Sequence, residues 1–107
     1  MRVEILYFVG CPHVRHTREL VEQVARELRL NPSIELVEVP DAAAAARLRF
    51  LGSPTVRVEG RDVEPGAEAR TDFALSCRVY PAEHGAAGWP EERLIRGALL
   101  RAGAAAS

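Results

Sequence analysis

The chain has 107 residues, a formal net charge of -1 and 27% charged residues of interspersed sign. That is the length of one domain with enough interior to fold without disulfides, and the charge balance argues against an electrostatic nucleic-acid binder. No apolar stretch is long enough to cross a membrane, and MRVEILYFV lacks the small-residue cleavage site of a signal peptide, so the expected location is the cytoplasm.

Residues 3–9 (VEILYFV) are nearly all apolar, β-branched or aromatic, which predicts a strand covered on both faces. Gly10 ends it. From Pro12 to about Leu30 the apolar positions Val14, Leu20, Val21, Val24, Ala25 and Leu28, with Thr17 filling a gap, have the spacing of an amphipathic helix. Pro12 suits its first turn, and Asn31-Pro32 stops it. Residues 33–39 (SIELVEV) predict a second strand, ended by Pro40. Asp41 is an N-cap for the helix-forming run AAAAARLRFL, with Gly52 as its C′ residue. In SPTVRVEGRDVEP, Val56 and Val58 alternate with polar residues, Glu59-Gly60 marks a tight hairpin turn, and Arg61–Val63 is the return strand.

Residues 65–90 hold Pro65, Gly66, Pro81, Gly85, Gly88 and Pro90 with weak periodicity. An irregular stretch of this length in a small domain is usually functional when ordered. Phe73, Leu75, Val79 and Tyr80 are expected to pack, with a short strand around Arg78–Tyr80. Pro90 to about Ala102 carries one apolar stripe, Leu94, Ile95, Ala98 and Leu99, and reads as a helix with GAAAS as a frayed tail. The expected organisation is a single α/β domain over residues 1–107 with an irregular insertion at about 65–89. Its order is β-α-β-α-β-β-α: a four-stranded mixed sheet with helices on both faces.

The cysteines are Cys11 and Cys77. In a reducing compartment they are redox-active, metal-binding or inert rather than a staple. Cys11, in GCPHV, falls where the first strand turns into the first helix. The free N–H groups and dipole of a helix N-terminus favour negative charge, so this corner favours the thiolate, the nucleophilic form. The bland alternative is a small residue at a crowded corner. His13 and His16 either add positive charge when protonated or are solvated helix residues. Cys77, in ALSCRVY, is either a thiol that resolves an intermediate on Cys11 or a buried core cysteine.

GCP after the first strand, SPT before the third and the order of elements together resemble the thioredoxin-like superfamily. The YF-x-G-C-P start, the LGSPT-V-x-V-x-G-R-D-V-E-P hairpin and the late S-C-R-V-Y are similar to small bacterial thioredoxin-like proteins with a single GCP-type cysteine. The resemblance implies a thioredoxin-like fold, Cys11 as attacking thiolate and Pro54 in cis. It also implies a substrate-binding edge of Pro12, His13, Ser53, Pro54 and Thr55 that takes a thiol or disulfide substrate, either a protein or glutathione. No cofactor, metal, nucleic acid or membrane is implied. The chain departs from thioredoxins where their C-x-x-C reads Cys11-Pro12-His13-Val14, so the second thiol is missing and Cys77 is the candidate to replace it.

Two functions of other classes stand against a thiol-disulfide or peroxide-linked redox protein. One is a soft-metal carrier or sensor using Cys11, Cys77 and His13, although no C-x-x-C or H-x-x-x-H spacing supports a zinc site. The other is a degenerate thioredoxin-like module that binds a partner through its edge without catalysis. The remaining features read as structural: Arg57 and Arg61 as guards of an edge strand rather than anchors for a glutathione carboxylate, Glu64, Asp72 and Glu83 as unrelated carboxylates, and Trp89 as a core or staple residue.

Overall fold

Strand β1, Arg2–Tyr7, is the apolar centre of the molecule, with Val3, Ile5 and Leu6 buried. The computed structural model describes residues 1–106, with side chains through Ala104. Chain order continues with helix α1 (Val14–Glu27), β2 (Ser33–Glu38), α2 (Ala42–Arg47), β3 (Thr55–Val58) and β4 (Arg61–Asp62). A 3-10 turn at Ala67–Ala69, β5 (Tyr80–Ala82), β6 (Gly85–Ala87) and α3 (Glu92–Ala106) complete it. The main sheet is mixed and runs β2-β1-β3-β4. β1 pairs parallel with β2, as a helical crossover through α1 requires, and antiparallel with β3; β4 is antiparallel to β3.

Alternation along β1 splits the core in two. Val3 and Ile5 join Val56, Val58 and Tyr80 under α1 and α3, which contribute Val21, Val24, Leu94, Ile95 and Leu99. Leu6 faces the other way and packs with Val39, Ala44, Ala45 and Phe50 beside α2. Each fully buried Val, Ile or Leu stabilises the fold by roughly 1.5–3 kcal/mol, so the two clusters supply most of the driving force. β2 is an edge strand whose Leu36 is exposed. Thr17, which fills a gap in the apolar stripe of α1, is buried, and its hydroxyl donates to the His13 carbonyl at 2.7 Å.

Several boundaries differ from the sequence expectation. β1 stops at Tyr7, and Phe8–Gly10 turn away, with Gly10 at φ 100°. α1 begins at Val14 with His13 as N-cap, so Pro12 lies outside the helix. α1 and α2 end in the same device. Arg29 (φ 57°) and Arg49 (φ 55°) take the left-handed C′ position, and Leu30 and Phe50 donate back to the carbonyls of Ala25 and Ala45. These are Schellman motifs closed by an apolar C″ residue. Gly52 is therefore not the C′ residue of α2. Asp41 does cap that helix, accepting from the Ala44 N–H at 2.8 Å. The Glu59-Gly60 turn has both residues at positive φ (52° and 80°), the type I′ geometry that a two-residue hairpin favours. α3 continues through Ala106, past the expected end at Ala102, and Ser107 lies outside the described residues.

The insertion forms a separate two-stranded hairpin, β5 with β6. Of Phe73, Leu75, Val79 and Tyr80, Tyr80 alone reaches the core. Phe73 is half-buried beneath the Arg49 guanidinium, whereas Leu75 and Val79 are exposed. Among the described residues no helix is long and apolar enough to cross a membrane.

Candidate functional site

Cys11 follows the Phe8–Gly10 turn at the end of β1, and its N–H donates to the Phe8 carbonyl at 3.2 Å. The residue is half-buried, and both cysteines are free thiols. It lies before the His13 N-cap rather than in the first turn of α1. Pro12 beside it is exposed.

The two histidines of this corner face the far end of the insertion. Trp89 packs against both, with ring centroids 5.2 Å from His13 and 5.0 Å from His16. Gly88 lies so close that a Cβ there would come within 2.8 Å of the His13 ring. Trp89 is thus not a core residue: it is half-buried and covers the start of α1. His13 is half-buried under it, and His16 remains exposed.

Ser53, Pro54 and Thr55 run into β3, and the Ser53–Pro54 peptide bond is cis. All three are buried. The Phe8 N–H donates to Ser53 Oγ over a long 3.4 Å, which ties this corner to the end of β1. Both backbone groups of Ser53 are taken by the insertion: its N–H donates to the Ser76 carbonyl at 2.8 Å, and its carbonyl accepts from the Arg78 N–H at 3.1 Å. This is a parallel bridge with Cys77 directly opposite Ser53. Cys77 thus sits beside the backbone of Ser53. Cys77 is exposed, which removes the reading of it as a core cysteine.

Arg78 holds this strap in place. Its side chain is 1% exposed. Nη1 donates to Asp62 Oδ2 at 2.7 Å and to Thr55 Oγ1 at 3.0 Å. Nη2 donates to Asp62 Oδ1 at 2.9 Å and to Glu64 Oε1 at 3.1 Å. The guanidinium lies 4.3 Å from the centre of the Tyr80 ring. A fork matched to a carboxylate in this way is the geometry arginine serves best. Tyr80 continues the network, its hydroxyl donating to the Pro54 carbonyl at 2.6 Å. Burial pushes that hydroxyl well above the ordinary phenol range, so it stays protonated and remains a donor. Thr55 Oγ1 in turn donates to the Gly52 carbonyl at 2.6 Å. Gly52 has φ 122°, and a Cβ there would lie 2.9 Å from Arg78 Cβ and 3.0 Å from the Ser76 carbonyl. Glycine at 52 thus serves close approach of the strap.

Residue type and spacing do not single out Arg78, Asp62, Glu64 or Tyr80 as a set. The available signal was period 2: Asp62 with Glu64 along one strand face, and Arg78 with Tyr80 on the side opposite Cys77 and Val79. Glu64 and Asp72 are also not idle, since Asp72 pairs with Arg70 at 2.7 Å. Arg57 is neither an edge guard nor a free anion anchor. It donates to the Leu48 and Arg49 carbonyls at 2.6 and 3.1 Å and so satisfies the C-terminus of α2.

No protein-family model, no curated protein and no solved structure matches the chain. The site therefore rests on its own geometry: Cys11 follows the end of β1, which is bonded to Ser53, and Cys77 is bridged to Ser53 from the other side. Among the described residues, no group of three or more His, Cys, Asp or Glu side chains converges as metal ligands would.

Proposed function

We propose that the chain is a thioredoxin-like, cytoplasmic thiol redox protein in which Cys11 is the attacking thiolate and Cys77 the resolving thiol. The carrying observation is a short chain of bonds between the two. Cys77 lies opposite Ser53, Ser53 Oγ accepts from the Phe8 N–H, and the Phe8 carbonyl accepts from the Cys11 N–H. A missing C-x-x-C is in this way replaced by a thiol brought from a distant segment.

The chemistry is a two-electron oxidation of the pair. With a hydroperoxide, the Cys11 thiolate attacks the terminal oxygen; an S–O bond forms, the O–O bond breaks, and the leaving alkoxide or hydroxide takes a proton. The Cys77 thiolate then attacks the sulfenic sulfur; an S–S bond forms, the S–O bond breaks, and the hydroxide leaves as water with the proton given up by the Cys77 thiol. With a disulfide, Cys11 forms a mixed disulfide with one half and expels the other as thiolate, and Cys77 expels the second half. An external thiol reductant returns the pair to its starting state. A soft-metal carrier with three or more ligands would need a cluster that the described residues do not form. An edge-binding module needs an open edge at Ser53, which the strap fills.

The test is trapping of the intermediate. The reduced Cys77→Ser variant, treated with one equivalent of hydrogen peroxide in the presence of dimedone, is expected to carry the tag on Cys11. The wild-type chain, in which Cys77 consumes the sulfenic acid first, is expected to carry little. A Cys11 in the variant that takes neither the tag nor a mixed disulfide with oxidised glutathione overturns the redox reading.

A further inference from the structure

We propose that Ser76–Arg78 is a built-in strand that fills the backbone edge beside Cys11, so that Cys11 exchanges with small disulfides and excludes disulfides carried in extended polypeptides. The inference rests on the redox reading above and names its substrate class.

An extended peptide gains affinity at a sheet edge through main-chain hydrogen bonds. The edge next to Cys11 is Ser53, whose N–H and C=O are both bonded to the chain's own Ser76 and Arg78. An incoming strand must displace that segment before it pairs there. Displacement is opposed at three points. Arg78 has to leave four hydrogen bonds to Asp62, Glu64 and Thr55. Tyr80 has to leave the Pro54 carbonyl. The backbone of the strap also has to withdraw from Gly52, with which it is in close contact. In a strap paired this way, the outward backbone groups are those of Cys77 itself. A peptide that pairs with them lies one strand spacing, about 4.8 Å, further from Ser53. On the other side of the corner, Gly88 and Trp89 cover His13 and His16. What remains reachable at the corner is a half-buried thiol, which suits a small disulfide whose binding does not depend on strand pairing.

The step balances without further reagents. The Cys11 thiolate attacks R–S–S–R, forms Cys11–S–S–R and releases R–S⁻. The Cys77 thiolate then attacks the Cys11 sulfur, forms the intrachain disulfide and releases the second R–S⁻. The two protons of the protein thiols end on the two small thiols, and one disulfide is reduced for each one formed.

The experiment follows oxidation of the reduced full chain by oxidised glutathione and by a series of linear peptide disulfides with progressively longer flanks. For the wild-type chain, rates that stay flat or fall as the flanks lengthen support the proposal, and a rate that rises with flank length overturns it. Loosening the strap by Tyr80→Phe, or separately by Asp62→Asn, is expected to raise the rate for the longest peptide by about tenfold, roughly the factor that one regained hydrogen bond supplies. The rate of the first step with glutathione disulfide, capture of Cys11 as its mixed disulfide, is expected to stay within about twofold. Equal rates for wild type and both variants on every substrate overturn the role of the strap. Amide hydrogen exchange at Ser53 and Arg78 reads the same edge without any redox step: protection supports the proposal, and exchange as fast as that of an open loop overturns it. If Cys11 reacts with no disulfide while these amides are protected, the redox reading fails and its substrate class falls with it, although the edge is filled.

Discussion

Residues 1–64 and residues 65–90 are held by different physics. The first stretch is a layered framework in which strands and helices bury continuous apolar faces, and many side chains share the load. The second has little regular structure and sends one aromatic side chain into the core. It is fixed by a few directional contacts: Arg78 on Asp62 and Glu64, Tyr80 on Pro54, and Trp89 on the two histidines. Distributed apolar burial tolerates single losses. A network of buried polar groups does not, because each partner left behind is an unsatisfied group in a poor solvent.

That difference sets the expected ranking of substitutions. Arg78→Met has the largest effect. It leaves the Asp62 and Glu64 carboxylates without their buried partner and costs about 3–5 kcal/mol by urea unfolding. A cost below about 1 kcal/mol would mean that the strap is no more than a surface loop. Gly52→Ala comes next. The positive φ and the approach of Arg78 Cβ to 2.9 Å together cost roughly 1–3 kcal/mol. Far-UV circular dichroism is expected to stay native in both variants, because neither residue is a member of the apolar clusters.

Tyr80→Phe removes a single donor from the Pro54 carbonyl and costs about 1–2 kcal/mol at neutral pH. It also changes the response to alkali. The folded state holds the Tyr80 proton above the ordinary phenol value of 10.0. The stability from this group is therefore fully present below that value and is lost as pH rises through the folded pKa. The slope is at most about 1.4 kcal/mol per pH unit. The wild-type chain is expected to lose stability above about pH 10 more steeply than Tyr80→Phe, and parallel curves would contradict the buried hydroxyl. The smallest effect sharpens the comparison from the framework side. Asp41→Ala removes the cap of α2 and costs about 1 kcal/mol, with no change in Cys77 reactivity toward a thiol reagent.

The same division explains what was legible in the sequence. The four strands of the main sheet, α1, the Asp41 cap and the Glu59-Gly60 turn follow from periodicity and local turn chemistry, which short windows carry; β5 lies at Tyr80–Ala82 rather than around Arg78–Tyr80, and β6 has no such pattern. Helix ends were read less well because arginine, not glycine, occupies C′ in both Schellman motifs. The Arg78 network joins residues 14 to 23 positions apart in the chain, and no local pattern announces which arginine will be buried. Cys11 was legible as a corner thiol. The exposure of Cys77 was not, because a cysteine among apolar letters reads as core until Arg78 and Tyr80 are seen to face inward.

The most direct test of the central claim, that the strap delivers Cys77 to Cys11, is a tryptic map of the reduced chain after brief exposure to oxidised glutathione. Arginine is the only basic cleavage residue present, so Cys11 falls in the peptide of residues 3–15 and Cys77 in that of residues 71–78. A cross-link between Cys11 and Cys77, abundant in the wild-type chain and reduced in Arg78→Met, where loss of the cleavage site lengthens the Cys77 peptide to residues 71–93, is the predicted result. A wild-type chain in which Cys11 carries glutathione while Cys77 stays a free thiol would contradict it.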